Sequence, residues 1–259
     1  MTRQMVTPSF SVQVRLRRGG PQQPGGYRWQ ELTVEVPGDY TVIELVEMIK
    51  GEKEPSLVYR HSCHHGSCGT CAMRINGIER LACITGVAEV CEPGGTLTIE
   101  PLANLPVVAD LANDPGPLME WLELLGPGHV RSNGEQQPPL PDEDAECECE
   151  PFCRFADCIE CGACISACPG AKPGVGYIGP APLAAARETF LCGKEPLEGW
   201  SKWLDYVGGE HGIWQCHHVF ECSRVCPAGV DVAGAIMDLR RLMLAGQMPV
   251  HVKGGTGRG

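Results

Sequence analysis

The sequence predicts an α+β protein with a strand-rich N-terminal half and a helical C-terminal half. Two stretches near the N-terminus, 9–18 and 29–36, alternate apolar and polar residues, which is the period of a half-buried strand. Two stretches near the C-terminus have helical character: 181–191, with a proline in its first turn, and the amphipathic segment 232–244. The two halves therefore differ in the type of secondary structure that forms their cores.

The N-terminal elements follow one another in the order of a β-grasp, or ubiquitin-like, roll. The glycine-rich residues 19–26 separate the first two strands, which predicts a hairpin. Apolar residues within 41–49 share one helical face, with Asp39 or Thr41 as the N-cap. The remaining strands are predicted at 72–75, 78–81 and 96–100.

The chain length of 259 residues is sufficient for two modest domains, each with its own core. Residues 105–111 and 117–125 predict a linker with one or two short helices, and residues 126–144 are acidic and rich in proline, glycine and glutamine. We therefore place the domains at 1–108 and 145–259, with the linker at 109–144.

Composition excludes several classes of function. Hydrophobic residues make up 43% of the chain, but no run approaches the ~18 apolar residues of a membrane span, so no direct span is expected. A formal charge of -11 argues against nucleic acid as a partner, because its recognition needs a basic face. Arg15, Arg17 and Arg18 are accordingly interpreted as a solvated strand end.

The chain contains 16 cysteines, and they decide most of the functional interpretation. The first ten residues include no apolar segment of the secretory type, so we expect the protein to lie in a reducing cytosol. In that compartment, cysteines at short spacings usually ligate metals or clusters and do not form cross-links.

A first motif, C-x4-C-x2-C with a distant fourth cysteine, has the plant-type [2Fe-2S] spacing. Its predicted ligands are Cys63, Cys68, Cys71 and Cys83. Gly66 and Gly69 would let the backbone pass close to the cluster and direct N–H groups toward its sulfurs.

Two histidines in this loop, His64 and His65, raise the alternative of a Rieske centre. A Rieske centre replaces two cysteines with histidines, whereas all four cysteines are present in this loop. Both histidines are therefore interpreted as exposed loop residues.

A second motif reads C-x2-C-x2-C-x3-C-P from Cys158 to Pro169, and an echo runs from Cys216 to Pro227. In such paired motifs the last cysteine of each run ligates the other cluster. The first cluster is therefore predicted to be [4Fe-4S], held by Cys158, Cys161, Cys164 and Cys226.

In the echo, Val219 stands where the second cysteine of the run would be. The predicted ligands Cys168, Cys216 and Cys222 provide only three thiolates, and valine has no donor atom, which predicts [3Fe-4S]. A neighbouring residue could still complete a cube; the candidates are His217, His218 and Cys192.

Zinc knuckles and disulfide frameworks also use C-x2-C pairs. Zinc sites use two such pairs and not a triple followed by C-P, and nothing in the chain suggests the oxidising compartment that a disulfide framework needs. Five cysteines are surplus to the predicted ligands: Cys91, Cys147, Cys149, Cys153 and Cys192. We interpret them as unliganded thiols; the alternative is a zinc site or a further cluster at the C-x-C-x3-C run.

Together these motifs resemble the iron-sulfur subunit of succinate dehydrogenase or fumarate reductase, in the respiratory complex II family. Besides the cysteine motifs, the resemblance includes Cys-Ala-Met-Arg-Ile-Asn-Gly at 71–77, the link at 101–111 and Tyr-Ile-Gly-Pro-Ala at 177–181. It covers nearly the whole chain.

The resemblance implies two partners: a flavoprotein that carries FAD and the dicarboxylate site, and a quinone-binding membrane anchor. The chain itself would then contain no substrate-binding catalytic residues and would be peripheral to the cytoplasmic face of the membrane. His217 matches a position near the quinone, although a surface histidine beside a cluster explains it equally well. Between Cys168 and Tyr177 the family's usual tryptophan is missing, which implies an altered quinone pocket.

Two other functions compete with this interpretation. One is an electron-transfer subunit of a different flavoenzyme, such as a thiol-dependent fumarate reductase, and the other is a non-enzymatic cluster-binding protein. Three clusters with different ligand sets favour a graded path for single electrons.

Overall fold

The computed structural model describes residues 8–21, 25–126, 155–191 and 196–248. The chain divides into two compact units. The first unit comprises Met1–Gly116, Ile159–Ala167 and Arg224–Ala228, and the second comprises Pro117–Cys158, Cys168–Ser223 and Gly229–Gly259. The domain boundaries at 108 and 144 stay predictions, and the second of them lies outside the described residues, as do Cys147, Cys149, Cys153 and Cys192.

A five-stranded mixed sheet forms the core of the first unit. The predicted strands are confirmed with these bounds: β1 Ser9–Arg18, β2 Arg28–Pro37, β3 Ala72–Ile75, β4 Ile78–Leu81 and β5 Thr96–Glu100. They lie in the order β2-β1-β5-β3-β4, with β1 parallel to β5 and the other pairs antiparallel. The predicted α+β class, with a sheet domain followed by a helical region, is confirmed as well.

Helix α1, Val42–Glu52, begins with a capping box at Thr41. The Thr41 hydroxyl accepts a hydrogen bond from the Glu44 amide, and the Glu44 carboxylate accepts one from the Thr41 amide. Each contact satisfies an N–H group that has no partner within the helix. A second, shorter helix, α2, spans Val87–Val90.

Of the one or two short helices predicted over 105–111 and 117–125, one is present at Gly116–Leu125, whereas the first stretch contributes to a hairpin. Strands β6, Val107–Ala109, and β7, Ala112–Asn113, pair antiparallel, and Asp110 turns between them with φ of 47°. The buried Asn113 side chain exchanges hydrogen bonds with Leu102, donating to its carbonyl at 3.0 Å and accepting from its amide at 2.8 Å. The Asn113 side chain therefore provides hydrogen-bond partners for backbone groups that have none within a regular helix or sheet.

Arg18, expected to be solvated, is instead 3% exposed and faces the carboxylate of Asp110, which is equally buried. The Asp110 oxygens accept hydrogen bonds from the amides of Gly19 at 2.7 Å and Val58 at 2.9 Å. Arg18 Nε lies 3.1 Å from Oδ1 without being aligned for a hydrogen bond, so this contact is an ion pair. Glu54 is a second carboxylate partner of Arg18 at 3.2 Å.

The remaining helices occur in this order: α3 Gly116–Leu125, α4 Ala163–Ala167, α5 Pro180–Leu191, α6 Gly199–Gly208, α7 Glu221–Arg224 and α8 Val232–Leu244. In the second unit, the carbonyl of Leu125 at the end of α3 accepts hydrogen bonds from Thr189 at 2.7 Å and Trp203 at 3.4 Å. These bonds satisfy an oxygen that the helix leaves free. Within the described residues, the helices are too short or too polar to cross a membrane.

We predict that Asp110→Ala lowers the free energy of unfolding by about 3–5 kcal/mol, because it leaves two amides without their acceptor and removes one of the two carboxylates that face the buried Arg18. Chemical denaturation followed by circular dichroism measures the change. Asp39→Ala, which removes an exposed aspartate from the same unit, should change it by less than about 0.5 kcal/mol. Equal losses in the two variants would contradict the assigned role of Asp110.

Candidate iron-sulfur sites

The first cysteine loop connects α1 to β3 and brings Cys63 and Cys68 together. The amide of Cys68 lies 3.4 Å from the Cys63 sulfur, and the amide of Cys63 lies 3.5 Å from the Cys68 sulfur. Gly66 and Gly69 have φ of 82° and 70°, a region that favours glycine and lets the loop curl around the two sulfurs. The predicted use of both glycines therefore matches the loop geometry.

Backbone N–H groups stabilise negative charge on this loop. The amide of His65, followed by other contacts that include the Cys68 and Ser67 amides, lowers the pKa of the Cys63 thiol to about 6. The Thr70 hydroxyl lies 3.0 Å from the Cys68 sulfur. Thiolates bind iron, and amides directed at sulfur suit a negatively charged cluster, so the loop fits a [2Fe-2S] centre.

Cys71 and Cys83 lie in more buried positions, 2% and 6% exposed. The antiparallel pairing of Ala72 with Leu81 places both cysteines near the same end of the β3–β4 hairpin. Burial raises the pKa of the Cys71 thiol to about 12. Such a thiol gives up its proton only when a cation compensates the charge, which iron would do.

The first cysteine loop approaches the second cysteine motif within the first unit. A Cβ atom on Gly69 would lie 2.6 Å from the Ile159 carbonyl oxygen and 2.8 Å from the Cβ atom of Cys161. The two motifs are therefore in direct backbone contact at Gly69. Sequence analysis did not predict this contact. The second glycine of the first motif, Gly69, was the only feature of the motif that could have indicated a close approach of another backbone segment.

Ser166, between Cys164 and Cys168, fixes the second motif to the sheet. Its hydroxyl donates to the buried Glu79 carboxylate at 2.7 Å and accepts from the Ala103 amide at 2.8 Å. The Asn104 side chain donates to the carbonyl of Ser166 at 3.0 Å. Helix α4 is thus held by β4 and by the link that follows β5.

The predicted ligands of the [4Fe-4S] cluster come from separate segments of the chain. Cys161, Cys164 and Cys226 belong to the first unit, and Cys158 immediately precedes its segment Ile159–Ala167. The three predicted ligands of the last site, Cys168, Cys216 and Cys222, all belong to the second unit.

The last three cysteines line one cleft of about 340 Å³, part of it open to solvent. Val219 lines the same cleft and is 50% exposed. Burial raises the pKa of Cys168, and it raises the pKa of Cys222 to about 11. Three thiols around one cleft, with valine at the fourth position, fit a three-iron centre.

Tyr177 provides a further observation on this cleft. Its hydroxyl is buried and has no hydrogen-bond partner among the described residues. Burial raises the pKa of Tyr177, and the sulfurs of Cys216, Cys168 and Cys222 raise it further. A protonated phenol among these sulfurs is a donor for a negatively charged cluster.

Arg240 on α8 holds the segment that carries Cys216. Its guanidinium donates to the carbonyls of Ile213 and Cys216, both at 2.9 Å, and lies 5.4 Å from the centre of the Trp214 ring. It also lies 2.6 Å from His218. His217 is exposed and lines the cleft.

Two family models match the chain. A 2Fe-2S iron-sulfur cluster binding domain matches residues 13–120, and a 4Fe-4S dicluster domain matches residues 154–230. Together with the thiol-lined sites, these matches define an iron-sulfur protein of the electron-transfer class.

Three curated relatives narrow the assignment. The fumarate reductase iron-sulfur subunit of Haemophilus influenzae is 34% identical over 79% of this chain and 82% of its own. The fumarate reductase iron-sulfur subunit of Mycobacterium tuberculosis is 32% identical, over 87% of this chain and 90% of its own. The succinate dehydrogenase iron-sulfur subunit of Paracoccus denitrificans is 30% identical, over 84% of this chain and 86% of its own. The chain belongs to the family of iron-sulfur subunits of fumarate reductase and succinate dehydrogenase.

A solved structure supports the fold. A chain of the Mycobacterium smegmatis Sdh1 complex in the apo form is similar to this one with a TM-score of 0.73 and 23% identity, covering 94% of this chain and 100% of that one. The relatives are subunits of oxidoreductases, so the expected enzyme class is confirmed.

We predict that Gly69→Ala destabilises the protein and lowers its iron content, because the new methyl group meets the Ile159 carbonyl and the backbone has positive φ. Gly94→Ala is the matched control: Gly94 also has positive φ, but nothing lies within 4 Å of an added Cβ. In the control, the free energy of unfolding should fall by only ~1–2 kcal/mol, which is the cost of placing alanine in a left-handed backbone conformation. Iron analysis and thermal unfolding measure the two effects. Equal losses in the Gly69 and Gly94 variants would refute the close approach of Gly69 to Ile159 and Cys161.

Proposed function

We propose that this chain passes electrons between an FAD-bearing flavoprotein and a quinone-binding membrane subunit in a succinate:quinone oxidoreductase. The family assignment supports this role, since the relatives are iron-sulfur subunits of such enzymes. In this proposal the chain lies peripherally at the cytoplasmic face of the membrane, attached through its partners.

The proposed ligand sets follow the cysteine spacing. Cys63, Cys68, Cys71 and Cys83 hold [2Fe-2S]; Cys158, Cys161, Cys164 and Cys226 hold [4Fe-4S]; Cys168, Cys216 and Cys222 hold [3Fe-4S]. When bound, these clusters accept and release single electrons. Oxidation of succinate to fumarate releases two electrons and two protons. Reduction of a quinone to a quinol consumes two electrons and two protons.

One observation carries the proposal: the backbone contact between the first and second cysteine motifs at Gly69. A carrier of single electrons requires neighbouring centres, and the contact brings the loop of one centre against a ligand segment of the next. The role of Gly69 is to permit that approach. Ser166, through Glu79, Ala103 and Asn104, holds the second motif in register with the sheet.

The last site has features that suit a terminal position in the path. Val219 and Phe220, at its mouth, are 50% and 47% exposed, and the nearby Trp214 is 46% exposed. Large apolar side chains on a surface mark sites of contact with partners or membranes. We assign this surface to the membrane subunit and His217 to the quinone side.

The order in which the three clusters receive electrons is tested with the purified complex of this chain and its flavoprotein partner. Cys68→Ser should remove the [2Fe-2S] signal and abolish succinate-dependent reduction of the other two clusters, followed by electron paramagnetic resonance. Cys91→Ser, which alters a buried thiol outside the proposed ligand sets, should leave reduction unchanged. If the distal clusters of the Cys68 variant were reduced at the unaltered rate, or if the chain did not co-purify with a flavoprotein, the proposed role would be abandoned.

The cluster type at the last site is tested by Val219→Cys. The new thiolate should bind a fourth iron, raising the total from nine to ten atoms per chain, because it restores the four-cysteine spacing. The oxidised wild-type protein should show a three-iron paramagnetic signal that the variant lacks. Val219→Ala, which adds no donor, should retain that signal; a ten-iron wild-type protein would mean that another residue completes the cube.

A further inference from the structure

Glu47, His61 and His64 form a cluster in the first unit that the iron sites do not use. Each contributes one possible metal-ligating atom, and these three atoms lie within 4.8 Å of one another. We call this cluster the His-Glu triad. Within the described part of the chain, no other group of three or more possible ligand atoms of histidine, cysteine, aspartate or glutamate lies this close together. Sequence analysis had interpreted His64 only as an exposed loop residue.

The distances within the His-Glu triad match a tetrahedral metal site. His61 Nδ1 lies 2.8 Å from His64 Nε2, and the Glu47 carboxylate oxygen Oε1 lies 3.6 Å from the first nitrogen and 3.5 Å from the second. A tetrahedral Zn²⁺ with ligand distances of about 2.0–2.1 Å sets its ligand atoms about 3.3–3.4 Å apart. To bind an ion, the two edges to Glu47 need to shorten by about 0.1–0.3 Å, and the two histidine nitrogens need to move apart by about 0.5–0.6 Å.

Each side chain is positioned by its surroundings. Glu47 is on α1, so its backbone is fixed by helical hydrogen bonds. The His61 ring stacks on Tyr59 with centroids 5.1 Å apart. His64 has φ of 61°, an uncommon conformation for a residue other than glycine, which turns its ring toward His61 and Glu47.

The ligand chemistry selects the class of cation. Two imidazole nitrogens and one carboxylate oxygen suit zinc and related borderline divalent ions, whereas calcium and magnesium prefer all-oxygen sites. The three side chains are 35–42% exposed, so an ion can enter from solvent. Three protein ligands leave the fourth tetrahedral position for water or another small ligand.

We propose that Glu47, His61 and His64 bind one Zn²⁺ ion, at a site separate from the iron ligands but one residue from Cys63. The two imidazole nitrogens lie within hydrogen-bond distance of each other, so one ring is the donor and the other the acceptor.

The test uses the full chain with its clusters loaded under anaerobic conditions. The protein is equilibrated with micromolar Zn²⁺, and zinc and iron are both counted by elemental analysis. We expect one zinc per chain with no loss of iron. Zinc taken up at the expense of iron would place the ion on the cluster ligands and overturn the proposal, as would no uptake at all. Zinc that the variants below still bind with unchanged affinity would place it on other thiols and overturn the proposal as well.

Two variants remove one ligand each while keeping the local structure. His61→Phe retains a ring to stack on Tyr59, and Glu47→Gln retains the size of the side chain. Each should weaken zinc binding at least tenfold with the iron content unchanged. Two independent variants keep the test valid if one of them loads its clusters poorly.

His65→Gln is the matched control. His65 is an exposed histidine of the same loop, hydrogen-bonded to Ser67 at 2.9 Å and outside the His-Glu triad. Its zinc affinity should equal that of the unaltered protein. Equal weakening in the His65 and His61 variants would show non-specific binding to loop histidines and refute the site.

Discussion

The buried carboxylate of Asp110 fixes the part of the chain from which the first cysteine loop extends. It accepts the amides of Gly19, at the end of β1, and Val58, five residues before Cys63, while Arg18 neutralises its charge. Between the end of α1 and the start of β3 the chain forms neither a helix nor a strand. Its position therefore depends on contacts of this kind, and a charge pair with two amide donors is strong only because it is shielded from water.

Thiols in this molecule occupy two electrostatic environments. Amides directed at Cys63 favour its thiolate before any iron is bound, whereas burial holds Cys71 and Cys222 in the protonated form. Deprotonation at the buried positions is therefore coupled to the arrival of iron. Such coupling makes cluster binding a source of stability for the surrounding structure.

Local patterns were sufficient to predict the strands of the sheet, the Thr41 cap and the cysteine spacings, because each depends on residues close together in sequence. The burial of Arg18 depends on Asp110, which lies far away in the sequence. The hairpin at 107–113 depends on Asn113, whose side chain bonds the backbone of Leu102 outside the hairpin. The contact of Gly69 with Cys161, and that of Glu47 with His61 and His64, likewise require the fold. Composition and periodicity contain no information about such distant pairs.

The first unit is assembled from three separate stretches of chain, the last of which ends at Ala228. Chains emerge from the ribosome N-terminus first, and most domains can begin to fold as soon as they emerge. Here the sheet can form early, but the contacts made by Ile159–Ala167 form only once that later stretch has been synthesised, and those made by Arg224–Ala228 wait until nearly all of the described chain is present. During that interval the surfaces that later receive these two stretches are exposed to solvent, so the first unit reaches its final packing only after its last stretch has arrived.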